Sequence, residues 1–128
     1  MDPLPPYGEF LGLSVTEAAD GSRQFLMPFE DRVLGRPGFL HGGAIAGLLE
    51  FAALDALYGA LGGREGVTVK PINVTVNFMR GGINHDTYAA ALVTRLGKRV
   101  ANVEARAWQQ DRARPIAAAQ MNVMLKRG

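Results

Sequence analysis

Two groups that can act on a carbonyl stand eight positions apart in an otherwise oily stretch. Residues 41–50 read His-Gly-Gly-Ala-Ile-Ala-Gly-Leu-Leu-Glu, so His41-Gly42-Gly43 opens the stretch and Glu50 lies inside it. The pattern predicts a polar loop feeding the start of a long apolar helix. A helix start presents unpaired backbone N–H groups with the positive end of the helix dipole behind them. Glycine there lets a ligand approach the backbone closely. A carboxylate buried among apolar residues is costly unless it is paired or used. Together these features read as a carbonyl-polarising amide and a catalytic acid, the acid expected to be buried.

The elements that must hold these groups follow from periodicity and turn chemistry. The helix is expected from about Gly43 to Leu61, where Gly62-Gly63 stops it. Leu13 to Ala19 and Arg23 to Pro28 look like strands joined by the Asp20-Gly21 turn, after a short capping segment at Pro3 to Phe10. Strand-like runs follow at Val67 to Met79, Thr87 to Leu96, Val100 to Asp111 and Ile116 to Leu125. Val74, Val76 and Phe78 alternate with Thr75 and Asn77, the period of a half-buried strand. The short link Gly97-Lys98-Arg99 demands a hairpin, so the sheet is antiparallel there. One long helix and about six strands make a two-layer α+β domain spanning 1–128, with a curved sheet wrapped around the helix. A helix apolar on nearly every face must be covered on nearly every face. A single sheet cannot do that, so a second subunit is expected, most simply across a two-fold axis.

Composition narrows the function classes. The 128 residues are 48% hydrophobic and 20% charged, as in globular proteins, and contain no cysteine. A formal charge of +2 does not single out nucleic acid as a partner. The start, Met1-Asp2-Pro3-Leu4-Pro5-Pro6, lacks the pattern of a signal peptide, and a cytoplasmic protein is expected. Residues 44–61 are long and apolar enough to span a bilayer, but Glu50 and Asp55 in their middle argue for a helix wrapped by protein instead of lipid. No metal-ligand cluster accompanies His41, and no phosphate-loop pattern is present, so neither metal nor cofactor is expected.

With these residues in hand, the sequence resembles the hotdog-fold thioesterases, in particular the phenylacetyl-CoA thioesterase-like branch of the 4-hydroxybenzoyl-CoA thioesterase superfamily. The resemblance rests on His41-Gly42-Gly43, Glu50 nine residues after the histidine, Gly66-Val67-Thr68-Val69, Phe78-Met79-Arg80 and Leu96-Gly97-Lys98-Arg99, and covers roughly residues 25–126. It implies that the Gly42 amide polarises the thioester carbonyl, that Glu50 is nucleophile or general base, and that Thr68 helps position water. Many members carry Asn or Gln six residues before the histidine. Here that position is Gly35.

Gly42 and Glu50 would lie about 12 Å apart along one helix. An oxyanion donor and a catalytic acid must each come within about 3 Å of the same reacting group. Two antiparallel helices meet that demand, with Gly42 of one chain near Glu50 of the other. Acyl-CoA hydrolysis at two composite sites per dimer is therefore expected, and a dimer of dimers, common in the family, is expected as well. Gly43, Arg80, Lys98 and Arg99 are candidates for binding coenzyme A, whose phosphates suit Arg and Lys. His41 is a further catalytic-site candidate, through direct contact with the substrate. Each residue also has a plainer reading. Glu50 could be a structural carboxylate, His41 a residue that orients the helix start, and the cations a solvated surface. Phe78, Tyr58 and Trp108 fit core packing at least as well as an acyl pocket. The rival functions are a non-catalytic acyl-CoA-binding or regulatory protein on the same fold, and a hotdog dehydratase or hydratase. The second needs a His–carboxylate pattern that neither His41 nor His85 supplies.

Overall fold

Alternating apolar residues make the strands, and glycine-punctuated turns set their order. The computed structural model describes residues 4–128. A short helix, α1 (Pro6–Phe10), precedes β1 (Ser14–Glu17) and β2 (Arg23–Met27). The long helix α2 (Gly42–Leu61) follows, then β3 (Val67–Phe78), β4 (Thr87–Leu96), β5 (Val100–Trp108) and β6 (Ala117–Arg127). Pro3, the expected start of the capping segment, lies outside the described residues, and α1 occupies the rest of it. Gly21 turns β1 onto β2 at φ 83°, while the Asp20 carboxylate accepts from the Ser22 N–H at 2.9 Å. At the β4–β5 hairpin the Gly97 N–H donates to the Val100 carbonyl at 3.0 Å.

The six strands form one antiparallel sheet in the order β1-β2-β4-β5-β6-β3. On β5 and β6, Ala101, Val103, Ala105, Met121, Val123 and Leu125 are buried in the core that α2 shares. Asn102, Glu104, Gln120 and Lys126 take the alternate positions and hence the outer face. One long helix on a curved antiparallel sheet is the hotdog arrangement that the sequence led us to expect. The strand β3 lies at the sheet edge and pairs only with β6. A bulge between Pro71 and Asn73 interrupts that pairing.

The helix α2 passes the length and composition test for a membrane span, yet the sheet buries one side of it. Leu48, Leu49 and Leu57 are completely covered, each worth about 1.5–3 kcal/mol relative to exposure. Coverage is incomplete, however: Gly43 is exposed, and Ala46, Glu50 and Leu54 are half-buried. Both ends are capped. His41 is the N-cap, and its Nδ1 accepts from the Gly43 N–H at 2.9 Å. Gly62 ends the helix in the left-handed region at φ 80°, and the Gly63 N–H donates to the Tyr58 carbonyl at 2.9 Å, as the Gly-Gly stop predicts.

Two stability measurements check this account. Leu48→Ala is expected to lower the unfolding free energy in urea by about 3 kcal/mol, the transfer and cavity cost of a buried leucine. His41→Ala is expected to cost about 1 kcal/mol through the lost cap, and His41→Asn, which keeps an acceptor there, should recover most of it.

Candidate active site

The first turn of α2 disposes of its free amides one by one. The Gly43 N–H goes to His41 Nδ1. The Ala44 and Ile45 N–H groups both donate to the His41 carbonyl, at 3.0 and 3.2 Å. The Gly42 N–H makes no hydrogen bond among the described residues. It is the one donor of that turn left open at the positive end of the helix dipole. Because Nδ1 accepts here, the donor N–H of the His41 ring is on Nε2. His41 thus orients the helix start, one of the two roles expected for it. The ring of Phe78 lies beside the open amide, since a β-carbon on Gly42 would meet it at 3.4 Å. Phe78 is 56% exposed within the chain, so it does not serve as core packing here.

Gly35 stands where the family resemblance leads one to expect a polar amide, and the space there is tight. A β-carbon at Gly35 would come within 3.2 Å of the His41 Cα. The His41 N–H is meanwhile tied to the Val33 carbonyl at 2.8 Å. The loop runs so close to the N-cap that a side chain fits only if the backbone gives way.

Glu50 is half-buried instead of fully buried, because the sheet covers the other side of α2. Its carboxylate makes no hydrogen bond or ion pair among the described residues. Gly43, Gly47, Glu50 and Leu54 follow the 4-3-4 spacing that places residues along one stripe of a helix. Gly43 and Glu50 thus share a stripe that the sheet does not cover, and the open amide of Gly42, eight residues before Glu50, is about 12 Å from it along the axis. Asp55 faces elsewhere and pairs with Arg23 of β2 through two contacts of 2.9 and 3.1 Å. The hydrogen bond to Asp55 pushes the Arg23 guanidinium above its ordinary pKa.

Leu54, one turn beyond Glu50, is also at the edge of a cleft of about 1260 Å³. Phe51, Tyr58, Phe25 and Ala91 help to line it, and the Arg23–Asp55 pair forms part of its wall. Tyr58 is therefore a cleft residue. Trp108 is buried, stacked on Tyr88 and covered by the Arg112 guanidinium, and belongs to the core reading.

Two groups of predicted site residues are not brought to Gly42 and Glu50 within one chain. Arg80 follows β3 at the end of the sheet where Phe78 meets Gly42. Lys98 and Arg99 occupy the β4–β5 hairpin at the opposite end, where with Arg95 they border a smaller cavity of about 430 Å³. The nine residues of β5 span the gap, about 30 Å at the usual rise per residue. Thr68, expected beside the reacting centre, pairs in register with Lys126 on the outer face of the sheet. Strict alternation would put Thr68 on the face of Phe78, ten residues on. The bulge after Pro71 adds one residue and reverses the side. His85 is exposed in its loop, next to Gln110. Sequence reasoning passed over Tyr7, which α1 lays on the Glu50 stripe at Gly47. The signal available was an otherwise unfavourable glycine in mid-helix.

The comparisons agree with this architecture. A family model described as the thioesterase superfamily matches residues 37–116, which takes in the His41–Glu50 stretch and the strands beyond it. A protein of Halobacterium salinarum that carries an esterase name is 32% identical over 98 residues. That match covers 74% of this chain and 64% of the relative's own length. A thioesterase structure from Haemophilus influenzae aligns with a TM-score of 0.80 at 21% identity, over 94% of this chain and 82% of that one. A Bacillus halodurans protein solved with CoA aligns with a TM-score of 0.82 at 18% identity, over 98% and 81%. These two structures show a shared fold. The family match spans more than half of the sequence, and the chain belongs to the thioesterase superfamily.

Proposed function

We propose that this protein hydrolyses acyl-CoA thioesters, with the Gly42 N–H as oxyanion donor and Glu50 as general base or nucleophile. The observation that carries the reading is the pairing of one open amide at the start of α2 with one unpartnered carboxylate further along that helix. In the general-base route, Glu50 takes a proton from water and the hydroxide adds to the carbonyl. The Gly42 amide holds the oxyanion, the C–S bond breaks, and the thiolate of coenzyme A leaves with the proton from Glu50. In the nucleophilic route Glu50 adds to the carbonyl, the C–S bond breaks and the coenzyme A thiolate leaves, and water then cleaves the resulting anhydride to the free acid and the Glu50 carboxylate. His41 positions the amide, and exposed Gly43 leaves room for the substrate to reach it.

The acid and the amide of one helix are too far apart to serve one carbonyl, so the site is composite. The edge strand β3 supports this reading. It is 12 residues long, has one edge unpaired, and leaves Ile72, Val74 and Phe78 exposed. Long apolar edges are sites of association. Pairing two β3 edges antiparallel joins the sheets and sets the α2 helices side by side about a two-fold axis. Gly42 of one chain then approaches Glu50 of its partner. The same operation brings Arg80 of one chain toward the Lys98–Arg99 end of the other, so that one coenzyme A can use cations from both. The Bacillus halodurans neighbour solved with CoA supports a ligand of this type on the fold. The cleft beyond Leu54 receives the acyl group. Thr68 is omitted from this reading because its side chain takes the far face.

Glu50→Gln is expected to lower kcat about 10²–10⁴-fold with an unchanged melting temperature, measured as thiol release from a series of acyl-CoA and aryl-CoA substrates. Wild-type turnover in that variant would remove Glu50 from the chemistry. Thiol release from none of the substrates by the native protein would favour a binding module. Gly42→Pro deletes the amide at a helix position that tolerates proline and should cost about 10²–10³-fold. Mixed dimers of the two variants should regain one working site each. Failure of mixtures to recover activity, with mixing verified, would place both groups in one chain's site.

A further inference from the structure

Gly47 sits inside α2, where glycine is about 1 kcal/mol worse than alanine, and the structure shows what takes the space. A β-carbon at Gly47 would come within 2.7 Å of the Tyr7 Cε2 and 3.5 Å of its Cζ. The Tyr7 ring therefore lies directly on the helix backbone, with its hydroxyl donating to the Gly43 carbonyl at 3.4 Å. Phe10 stacks against it, ring centroids 6.2 Å apart and planes 10° from parallel. The two rings remain 49% and 50% exposed. Glu50 is three residues past Gly47, about 4.5 Å further along the axis, and three residues is a neighbouring spacing on a helix surface. A half-exposed aromatic ring thus stands next to the oxyanion turn, its hydroxyl on the Gly43 carbonyl and its edge on Gly47.

We infer that Tyr7, backed by Phe10, is a specificity-determining wall of the thioester site. It favours acyl groups that are slender next to the carbonyl and turns away those branched at the α-carbon. This rests on the reading of Gly42 and Glu50 as the reacting site. The ring is rigid and has two side-chain torsions to fix, and its seat on Gly47 leaves it no room to retreat toward the helix. A substrate carbonyl held near the Gly42 amide presents its α-carbon to this ring.

The test compares kcat/KM for butyryl-CoA and isobutyryl-CoA, which differ in branching at fixed carbon number. Tyr7→Ala is expected to raise the isobutyryl-to-butyryl ratio about tenfold or more, the scale on which one methyl group is discriminated in a pocket. Tyr7→Phe should keep the native ratio, because the ring and not the hydroxyl forms the wall. Gly47→Ala should lift the ring off the helix into the substrate's space and lower the ratio. Opposite signs in Tyr7→Ala and Gly47→Ala are not what a purely structural role would give, since that role scales both substrates together. Equal scaling of the two substrates, or an altered oligomeric state in Tyr7→Ala with the ratio unchanged, would overturn the inference while leaving the hydrolase reading intact. A native protein that cleaves neither substrate nor any other acyl-CoA would overturn both.

Discussion

A curved sheet can cover one side of a helix, and α2 is apolar on nearly all of them. That mismatch governs the rest of the molecule. The covered side supplies the core, with Leu48, Leu49 and Leu57 against the alanines and valines of β5 and β6. The uncovered side would be a liability if it carried only leucines. It carries mostly glycine and alanine with one carboxylate instead, and Leu54 further along. Gly43, Ala46 and Gly47 keep the surface close to the backbone, and Glu50 is left without a partner. The surface that the sheet cannot reach is thus the one on which the superfamily's chemistry can be built.

Satisfying the backbone at the start of α2 is a matter of subtraction. The helix begins with several amides in need of acceptors. His41 deals with Gly43 through its ring and with Ala44 and Ile45 through its carbonyl. Gly42 remains. A Ser or Asp cap would satisfy the same Gly43 donor; here the imidazole does so and lies against Gly43. The tight passage of Gly35 over the His41 backbone holds this N-cap in place.

The cations pose a separate constraint. Arg80 and the Lys98–Arg99 hairpin lie at opposite ends of one sheet, farther apart than a single small site allows. Under the proposed function, a two-fold arrangement through the β3 edge would bring these cations toward one another in the same stroke as Gly42 and Glu50. The exposed apolar residues of β3 are consistent with it, since an edge strand left open in a stable monomer is ordinarily shortened or charged.

Local pattern was enough to find the elements. The extent of α2, its glycine stop, the Asp20-Gly21 turn and the Gly97 hairpin were all legible, and most strand ends fell within a few residues. Turn chemistry and periodicity act over a handful of neighbours, and those neighbours are in the sequence. The Gly42–Glu50 pair was legible for the same reason, as two residue types on one continuous helix. Sidedness was not. Thr68 changes faces because a single bulge near Ile72 shifts the parity of β3, and that bulge is fixed by pairing with β6, some fifty residues away in the chain. The exposure of Glu50 depends on how far a sheet can wrap. The seat of Tyr7 on Gly47 depends on where α1 docks. What the sequence determined by itself was which groups exist and which element carries each. Only the tertiary structure decided which side they face and what they meet, because those contacts are made between segments whose spacing along the chain records nothing of their separation in space.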